Sequence, residues 1–264
     1  MAGSSTMGAS PDDDGDRAGA SSDPARRVVR VLIAVKDLTA AKSRLAAEFS
    51  APDRTRLVLA MLSDTVAAAA AVAAVDSVTV VTPDSLVAET ARKIGAQVFD
   101  EPIGDPAQRA DERLNHAFSS AARVLRRDRT IRAPRGSEIS TADQVDIVAL
   151  QADLPAMHTD ELAQAYAGAR RGGRSVVVDH HGTGTAALIL KDSADELAPL
   201  FGPDSARRHT ESGAHRLDGT WPGLRLDVDT VDDVRRAHRL GVGPATAATL
   251  RALGWSDNAS ATTA

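Results

Sequence analysis

The alternation of short aliphatic runs with helical segments is the feature of this sequence that most constrains its fold. The runs Val28–Val35, Ser77–Thr82 and Asp146–Leu150 consist mainly of valine, isoleucine, leucine and alanine. Continuous apolar runs of this length are typical of strands that are covered on both faces, as in parallel sheets. Helices are predicted at about 52–74, 83–94, 111–126, 159–171 and 231–240. This alternation predicts an α/β domain with a largely parallel sheet and helices on both faces.

The second half of the chain departs from strict alternation. Two further strand candidates, within the segment Ser175–Leu190, are separated only by the sequence HHGTG. This short connection breaks the strand-helix alternation and predicts a mixed sheet. A last strand is predicted for LRLDVD, residues 224–229.

Composition indicates two tails and one insertion around a single domain. Residues 1–26 carry five acids and no apolar core, and residues 254–264 are mostly small or polar. Both segments are predicted to be disordered, which leaves a single domain of residues 27–253. The polar stretch 126–143 is predicted to be a surface insertion.

Charge and residue usage exclude several classes of protein. The formal net charge of −5 provides no general attraction for nucleic acid, and the absence of cysteine excludes disulfides and thiolate metal sites. No apolar run has the length of a membrane span. A cytoplasmic protein without nucleic-acid or membrane partners is therefore expected.

Acidic residues follow two of the predicted strands. Asp153 comes directly after DIVALQA, and Pro155 must end that strand because proline cannot donate to a sheet ladder. Asp227 and Asp229 close the run LRLDVD, where a spacing of two residues places both side chains on the same face. Open α/β sheets bind ligands at the carboxyl ends of their strands, and carboxylate oxygens suit magnesium or manganese. The alternative is that Asp229 or Thr230 caps the following helix.

Basic residues follow the first predicted strand, in the segment AVKDLTAAKSRL. Lys36, Lys42 and Arg44 lie where doubly wound folds commonly bind phosphate, although the chain contains no P-loop. These residues predict either an anion site or a solvated basic loop.

Two glycine-containing motifs in the second half also indicate anion binding. GTGTAA, residues 182–187, matches a dinucleotide fingerprint but leads into a strand, so an anion held by backbone, Thr183 and Thr185 is favoured over a cofactor site or a plain turn. In LFGPDSARRH, Ser205 is predicted to cap a short helix that carries Arg207 and Arg208. The start of that helix, beside the two arginines, is predicted to bind an anion. The alternative is an ordinary capped helix at the surface.

The seven histidines do not form a recognisable metal-binding pattern. His180 and His181 are adjacent, so on a strand they are predicted to point to opposite faces. We interpret both as ordinary loop residues.

Taken together, these motifs resemble a known enzyme family. The chain is similar, over residues 28–250, to the guanylyltransferases that act on phosphoenolpyruvate or 2-phospholactate in the biosynthesis of the deazaflavin coenzyme F-420. The resemblance is carried by AVKDLTAAKSRL, VVTPD, RLNHAF, LQADLPA, GTGTA, LFGPDSARRH and WPGLRLDVDT. It implies a nucleotidyltransferase fold of the GT-A type. It also implies a reaction that joins GTP to a three-carbon phospho-acid, here phosphoenolpyruvate, and releases pyrophosphate.

The resemblance further implies roles for matching residues. The magnesium ligands are implied to be Asp153, Asp227 and Asp229, with manganese as an alternative ion. The catalytic residues are implied to be Asp153, Asp227 and Lys42. The nucleotide is implied to contact Lys36, Lys42, Arg44 and Asn115. Phosphoenolpyruvate is implied to contact Thr185, Gly202 and Ser205.

Several alternatives stay open at the level of sequence. 2-Phospholactate and 3-phosphoglycerate differ from phosphoenolpyruvate by only a few atoms, so residue patterns do not choose among them. A molybdopterin-type nucleotidyltransferase is disfavoured because the glycine-rich start typical of that family is missing. A non-catalytic nucleotide-binding protein is disfavoured because binding alone rarely needs three aspartates beside an anion. Homodimer formation is left open.

Overall fold

The computed structural model describes residues 1, 3, 27–35, 38, 42–100, 109–128 and 144–255. The strands are β1 (Arg27–Ala34), β2 (Val75–Thr82), β3 (Gln97–Asp100), β4 (Gln144–Leu150), β5 (Gly173–Val178), β6 (Thr185–Lys191) and β7 (His215–Arg216). The helices are α1 (Ala51–Ala70), α2 (Ser85–Lys93), α3 (Ala110–Arg127), α4 (Thr159–Gly168), α5 (Ser205–Glu211), α6 (Val231–Leu240) and α7 (Pro244–Ala252). None of these helices combines the length and the apolar character that crossing a bilayer requires.

The strands form one sheet in the order β3-β2-β1-β4-β6-β5-β7. β1 pairs in parallel with β2 and β4, β2 with β3, and β5 with β7, whereas β6 runs antiparallel to both β4 and β5. The predicted mixed, mostly parallel sheet is therefore confirmed. Because Leu150 pairs with Ala187, the start of β6 lies at the same edge of the sheet as the carboxyl ends of β1 and β4.

Apolar side chains leave the sheet on both faces, which explains why its central strands are mainly aliphatic. In β1, Val29, Val31 and Ile33 join the larger core cluster, while Val28 and Leu32 join the smaller one. Helices α1, α2, α4, α6 and α7 contribute to the larger cluster, and α3 contributes to the smaller. The helices thus cover both faces, as predicted, and few aromatic rings are needed because alanine and valine pack closely between helices and sheet.

The predicted strand LRLDVD is wrong, since this segment is an irregular loop. Its backbone groups are bound by other loops and by a side chain: the carboxylate of Glu161 accepts from the N–H groups of Gly223 and Leu224 at 2.9 Å each. A Cβ on Gly223 would lie 1.9 Å from the carbonyl oxygen of Ala156, so only glycine allows this approach. Alternate residues of the loop are nevertheless buried, so Asp227 and Asp229 share a side as predicted.

Other boundaries differ from the predictions in detail. α1 ends at Ala70 and α4 at Gly168, both earlier than predicted, whereas α6 has the predicted bounds. Strand β7 and helix α7 were not predicted from the sequence. Most of the predicted insertion, at residues 129–143, and most of both predicted tails lie outside the described residues.

A buried carboxylate explains how α7 is held. Asp64, on α1, accepts hydrogen bonds from the N–H groups of Ala245 and Thr246 at 3.0 and 2.7 Å. Asp64 is 6% exposed, so these two donors have little access to water. An acceptor charge at the first turn of a helix also interacts favourably with the helix dipole.

We expect Asp64→Ala to lower the free energy of unfolding by about 1–3 kcal/mol, because one buried and one partly buried N–H group lose their acceptor. Urea unfolding followed by circular dichroism measures this difference. Asp160→Ala, at an exposed position in the first turn of α4, is the control and should change stability by less than about 0.5 kcal/mol. Equal effects of the two substitutions would contradict the role assigned to Asp64.

Candidate active site

Three chain segments meet at the carboxyl edge of the sheet. Asp153 follows β4, and its carbonyl oxygen accepts from the N–H of Val228 at 3.0 Å, which joins the loop after β4 to the loop that carries Asp227 and Asp229. Lys42 comes from the segment after β1. The structure therefore brings together Lys42, Asp153 and the loop that carries Asp227 and Asp229, as expected from the sequence.

Lys42 has a left-handed backbone, with φ 55° and ψ 44°. This conformation costs a residue other than glycine on the order of 1 kcal/mol. The ammonium group is offset by two carboxylates, because it contacts Oδ2 of Asp153 and lies 2.5 Å from Oδ1 of Asp229. Burial opposes the charge of Lys42, but the fields of Asp153 and Asp229 outweigh it and raise the pKa of the ammonium well above its ordinary value.

Asp227 lies in a region of concentrated negative charge. Burial, together with the charges of Asp153, Asp229 and Asp179, raises the pKa of Asp227 to about 7. The ammonium of Lys42 balances part of this charge, but it contacts Asp153 and Asp229 rather than Asp227.

Two carboxylate oxygens of this cluster are buried without a hydrogen-bond partner among the described residues. They are Oδ1 of Asp153 and Oδ1 of Asp227. A buried, unpaired carboxylate oxygen is unfavourable unless a cation or donor contacts it. The donor set is made of oxygen only, which is the kind that hard divalent cations such as Mg²⁺ and Mn²⁺ prefer. The residues present therefore fit such an ion.

The residues implied to contact phosphoenolpyruvate lie in segments that are bonded to one another. Ser205 donates its N–H to the carbonyl of Gly202 at 3.1 Å, and Ala206 donates its N–H to the carbonyl of Thr183 at 3.0 Å. These bonds connect the start of β6, the turn at Gly202 and α5. The N-cap of α5 is Asp204 rather than the predicted Ser205, which is the first helical residue.

His209 fixes the hydroxyl of Thr185. Nε2 of His209 accepts from the N–H of Leu200 at 2.8 Å, and Nδ1 lies 3.0 Å from Oγ1 of Thr185. Burial and the nearby Arg174 and Arg208 lower the pKa of His209 to about 4, so the ring is neutral near pH 7. A neutral ring that accepts at Nε2 carries its proton on Nδ1, and it therefore donates to Thr185. The hydroxyl hydrogen of Thr185 is not used in this bond, although the residue is buried, with 2% exposure.

Asn115 is bonded to backbone in the described structure. Its side-chain amide donates to the carbonyl of Phe201 at 3.0 Å and accepts from the N–H of Phe201 at 2.7 Å. The adjacent Gly202 has φ +117°, and a Cβ there would lie 2.8 Å from Cβ of Asp111. Asn115 thus positions the turn at Gly202, while its predicted contact with the nucleoside stays a prediction.

The remaining predicted residues have simpler environments. Lys36 lies outside the described residues, and Arg44 is exposed. Arg207 is exposed and pairs with Glu211 at 3.0 Å, as a surface helix residue does. Thr230, and not Asp229, caps α6 through a hydrogen bond from the N–H of Asp233.

Sequence reasoning missed several residues near the site. His180 and His181 are loop residues, as interpreted from the sequence, but they lie in the turn between β5 and β6 with ring centroids only 3.8 Å apart. Asp179 contributes charge near Asp227 and accepts from the N–H of Thr183 at 3.1 Å. The sequence DHHGTG contained a signal for this turn, because glycine and aspartate favour tight turns.

Comparison with known proteins gives relatives that cover most of the chain. Residues 29–125 match the family model described as guanylyl transferase CofC like. A phosphoenolpyruvate guanylyltransferase from Rhodococcus opacus is 54% identical over 84% of this chain and 90% of its own length. Proteins of that name from Rhodococcus jostii and Nocardia farcinica are 55% and 53% identical over 86% of this chain, and over 94% and 93% of their own lengths.

Solved structures support the fold. A chain from Desulfovibrio desulfuricans, assigned to the nucleotide-diphospho-sugar transferases, aligns with a TM-score of 0.57 and 16% identity over 85% of this chain and 96% of its own. A nucleotidyl transferase from Methanothermobacter aligns with a TM-score of 0.53 and 15% identity over 80% of this chain and 97% of its own. Because both sequence identities are low, the comparison is informative about the fold alone. It confirms the predicted nucleotidyltransferase fold.

The raised pKa of Asp227 gives a prediction about stability without metal. An aspartate whose pKa is higher in the folded state than its ordinary value of 3.8 stabilises the fold less as pH rises from about 4 through about 7. We expect Asp227→Asn to raise the free energy of unfolding at pH 8 in a chelator by on the order of 1–2 kcal/mol, with little gain at pH 4. Chemical unfolding at both pH values measures the effect, and Asp204→Asn, at an exposed site, is the control. A lower stability of Asp227→Asn at pH 8 would contradict the assigned charge repulsion.

Proposed function

Because this chain belongs to the phosphoenolpyruvate guanylyltransferase family, we propose that it transfers a guanylyl group from GTP to the phosphate of phosphoenolpyruvate. The products are enolpyruvyl-diphospho-guanosine and pyrophosphate. The observation that carries the proposal is the cluster of Lys42, Asp153, Asp227 and Asp229 at the carboxyl edge of a sheet of this fold. We place the reaction in coenzyme F-420 biosynthesis and in the cytoplasm, as the sequence resemblance implies.

Charge repulsion is the main obstacle to this reaction. A phosphate oxygen of the acceptor must approach the α-phosphorus of GTP, and both reactants are polyanions. Two like unit charges at 4 Å repel by about 1 kcal/mol in water and by about 4 kcal/mol at an effective dielectric constant of 20. The protein must therefore supply positive charge and hold the reactants in line. A separate general base is unnecessary because the acceptor phosphate is already ionised near neutral pH.

Asp153, Asp227 and Asp229 would supply part of that positive charge by holding an ion. We propose that Asp153 and Asp227, with Asp229 beside them, hold Mg²⁺, for which Mn²⁺ can substitute. When bound, such an ion neutralises phosphate oxygens and the charge that develops on pyrophosphate. The unpaired Oδ1 atoms of Asp153 and Asp227 support this assignment.

Lys42 has two roles in this proposal. Without ligands, its ammonium neutralises Asp153 and Asp229, which keeps the carboxylates close together. With GTP present, the same charge attracts the triphosphate, and Lys36 and Arg44 contribute from the same segment. The exposure of Arg44 is consistent with a residue that contacts a ligand rather than the core.

The acceptor is proposed to bind where β6 and α5 begin. Thr185 can donate its hydroxyl hydrogen to the acceptor phosphate because Nδ1–H of His209 already occupies an acceptor position of its oxygen. The turn at Gly202 and the start of α5 at Ser205 lie beside it. His209 is neutral, so its contribution is orientation rather than charge.

Product analysis tests the proposed reaction directly. GTP and Mg²⁺ are offered with phosphoenolpyruvate, 2-phospholactate and 3-phosphoglycerate in competition, and mass spectrometry identifies the guanylylated acid. We expect enolpyruvyl-diphospho-guanosine to predominate and pyrophosphate to appear in equal amount. A different guanylylated acid would reject the proposed acceptor, and GTP binding without pyrophosphate release would reject the enzyme assignment.

We expect Asp153→Asn to lower the rate of pyrophosphate release by at least about 10³-fold, because electrostatic stabilisation of this kind contributes several kcal/mol. Circular dichroism and thermal unfolding verify that the variant folds, and exposed Asp160→Asn is the matched control. Near-normal turnover in a folded Asp153→Asn protein would remove Asp153 from the ion site.

We expect Thr185→Val and Ser205→Ala to raise the apparent KM for phosphoenolpyruvate about tenfold while leaving the KM for GTP within about twofold, since loss of one hydrogen bond to a charged group is worth about 1.5–3 kcal/mol. Steady-state kinetics with each substrate varied in turn measure both constants. Ser63→Ala is the control, because the hydroxyl of Ser63 donates along α1 to the carbonyl of Leu59. Equal rises in both constants would place these residues outside the acceptor site.

A further inference from the structure

We infer that His180, His181 and Asp233 form a second cation site, specific for an ion that prefers imidazole ligands, such as Zn²⁺ or Co²⁺. One ring nitrogen from each histidine and one carboxylate oxygen of Asp233 lie within 4.8 Å of one another. The three residues come from the β5–β6 turn and the first turn of α6. None of them belongs to the proposed Mg²⁺ ligands.

The ligand atoms have separations suited to a shared ion. Nε2 of His180 lies 3.2 Å from Oδ1 of Asp233. Two ligands about 2.0–2.2 Å from one tetrahedral ion are separated by a little over 3 Å, which this distance matches. The ring of His181 packs against that of His180 with centroids 3.8 Å apart, and one of its ring nitrogens lies within 4.8 Å of the other two ligand atoms.

The hydrogen bonds of Asp233 leave one oxygen for an ion. Its Oδ2 accepts from the N–H groups of Asp229 and Thr230 and from the hydroxyl of Thr230, at 3.2, 2.9 and 2.7 Å. Oδ1 faces Nε2 of His180 and accepts none of these three hydrogen bonds. Asp233 is 2% exposed, so Oδ1 has almost no access to water.

His180 supplies the independent observation that a ligand belongs here. Both of its ring nitrogens are buried, and each lies near a carboxylate oxygen without forming a hydrogen bond among the described residues. A neutral imidazole carries one donor and one acceptor, and leaving both unsatisfied in a protein interior is unfavourable. An ion bound at Nε2 satisfies the acceptor.

The other nitrogen of His180 fits the same assignment. Nδ1 lies 3.4 Å from Oδ1 of Asp227. Histidines that bind metals commonly donate their second ring N–H to a carboxylate, which fixes the ring. Asp227 therefore serves as the outer partner of this site and as a proposed ligand of Mg²⁺, so the second ion would influence the first through His180.

The identity of the ion follows from its ligands. Two imidazoles and one carboxylate suit Zn²⁺, Co²⁺ or Ni²⁺ far better than Mg²⁺, which prefers oxygen ligands. His181 is exposed, so the remaining coordination position faces solvent and would be completed by water. An alternative arrangement without an ion is a protonated His180 that bridges Asp227 and Asp233.

Binding to the untagged, chelator-treated protein tests the site without GTP. Zn²⁺ is titrated by calorimetry, and Co²⁺ by visible absorption, with excess Mg²⁺ present throughout. We expect one equivalent to bind, with absorption bands typical of four-coordinate Co²⁺, and we expect His181→Ala to weaken binding at least about tenfold. Because His181 is exposed, this substitution should leave the thermal unfolding midpoint unchanged.

Two control variants distinguish this site from binding at a surface histidine and from the proposed Mg²⁺ site. His215→Ala removes an exposed histidine on β7 and should leave Zn²⁺ affinity unchanged. Asp153→Asn removes a proposed Mg²⁺ ligand that is not among the residues of this site and should still bind one Zn²⁺, so a failure of the proposed reaction would not be confused with a failure of this site. Absence of Zn²⁺ and Co²⁺ binding to the wild type, or unchanged affinity in His181→Ala, would overturn the proposal and favour the bridging imidazolium.

Discussion

The arrangement of the candidate active site depends on the buried ammonium of Lys42. It joins three segments that are far apart in the sequence, because it contacts Asp153 after β4 and Asp229 before α6. Removing one partner of a buried ion pair typically costs about 3–5 kcal/mol, since the other charge is left without compensation. This interaction holds the carboxylates near one another even though they repel. It also explains why Lys42 retains an unfavourable left-handed backbone.

Acidic residues in this structure fall into two groups that differ in what their oxygens contact. The carboxylates of Asp64, Glu161 and Asp233 accept backbone N–H groups and thereby position α7, the loop after Trp221 and the start of α6. Asp153 and Asp227 instead retain buried oxygens without hydrogen bonds. The first group stabilises the fold, and the second provides the unsatisfied negative charge that a cation can neutralise. Asp233 connects the two groups, because its second oxygen lies beside His180.

Much of the fold could be predicted because it depends on local patterns. Aliphatic runs of strand length predicted the sheet, and the short HHGTG connection predicted its mixed character, which β6 confirms. The segment LRLDVD was predicted wrongly because its alternating burial resembles that of a strand. Its N–H groups instead bind Glu161 and the carbonyl of Asp153, which are distant in sequence. His180 and His181 lie in a turn, as their interpretation as loop residues predicts, but the close approach of their rings depends on the tertiary structure.

The sequence by itself determined the order of most strands and helices, the placement of acids after two apolar segments and the family resemblance. These features follow from side-chain chemistry and from spacing over a few residues, which the sequence displays directly. The tertiary structure decided which charges meet: Lys42 with Asp153 and Asp229, Asn115 with the backbone of Phe201, and His180 between Asp227 and Asp233. Such contacts join residues separated by tens to more than a hundred positions. Only the packed sheet and its loops fix those distances, because ionic and hydrogen-bond energies depend on separation in space.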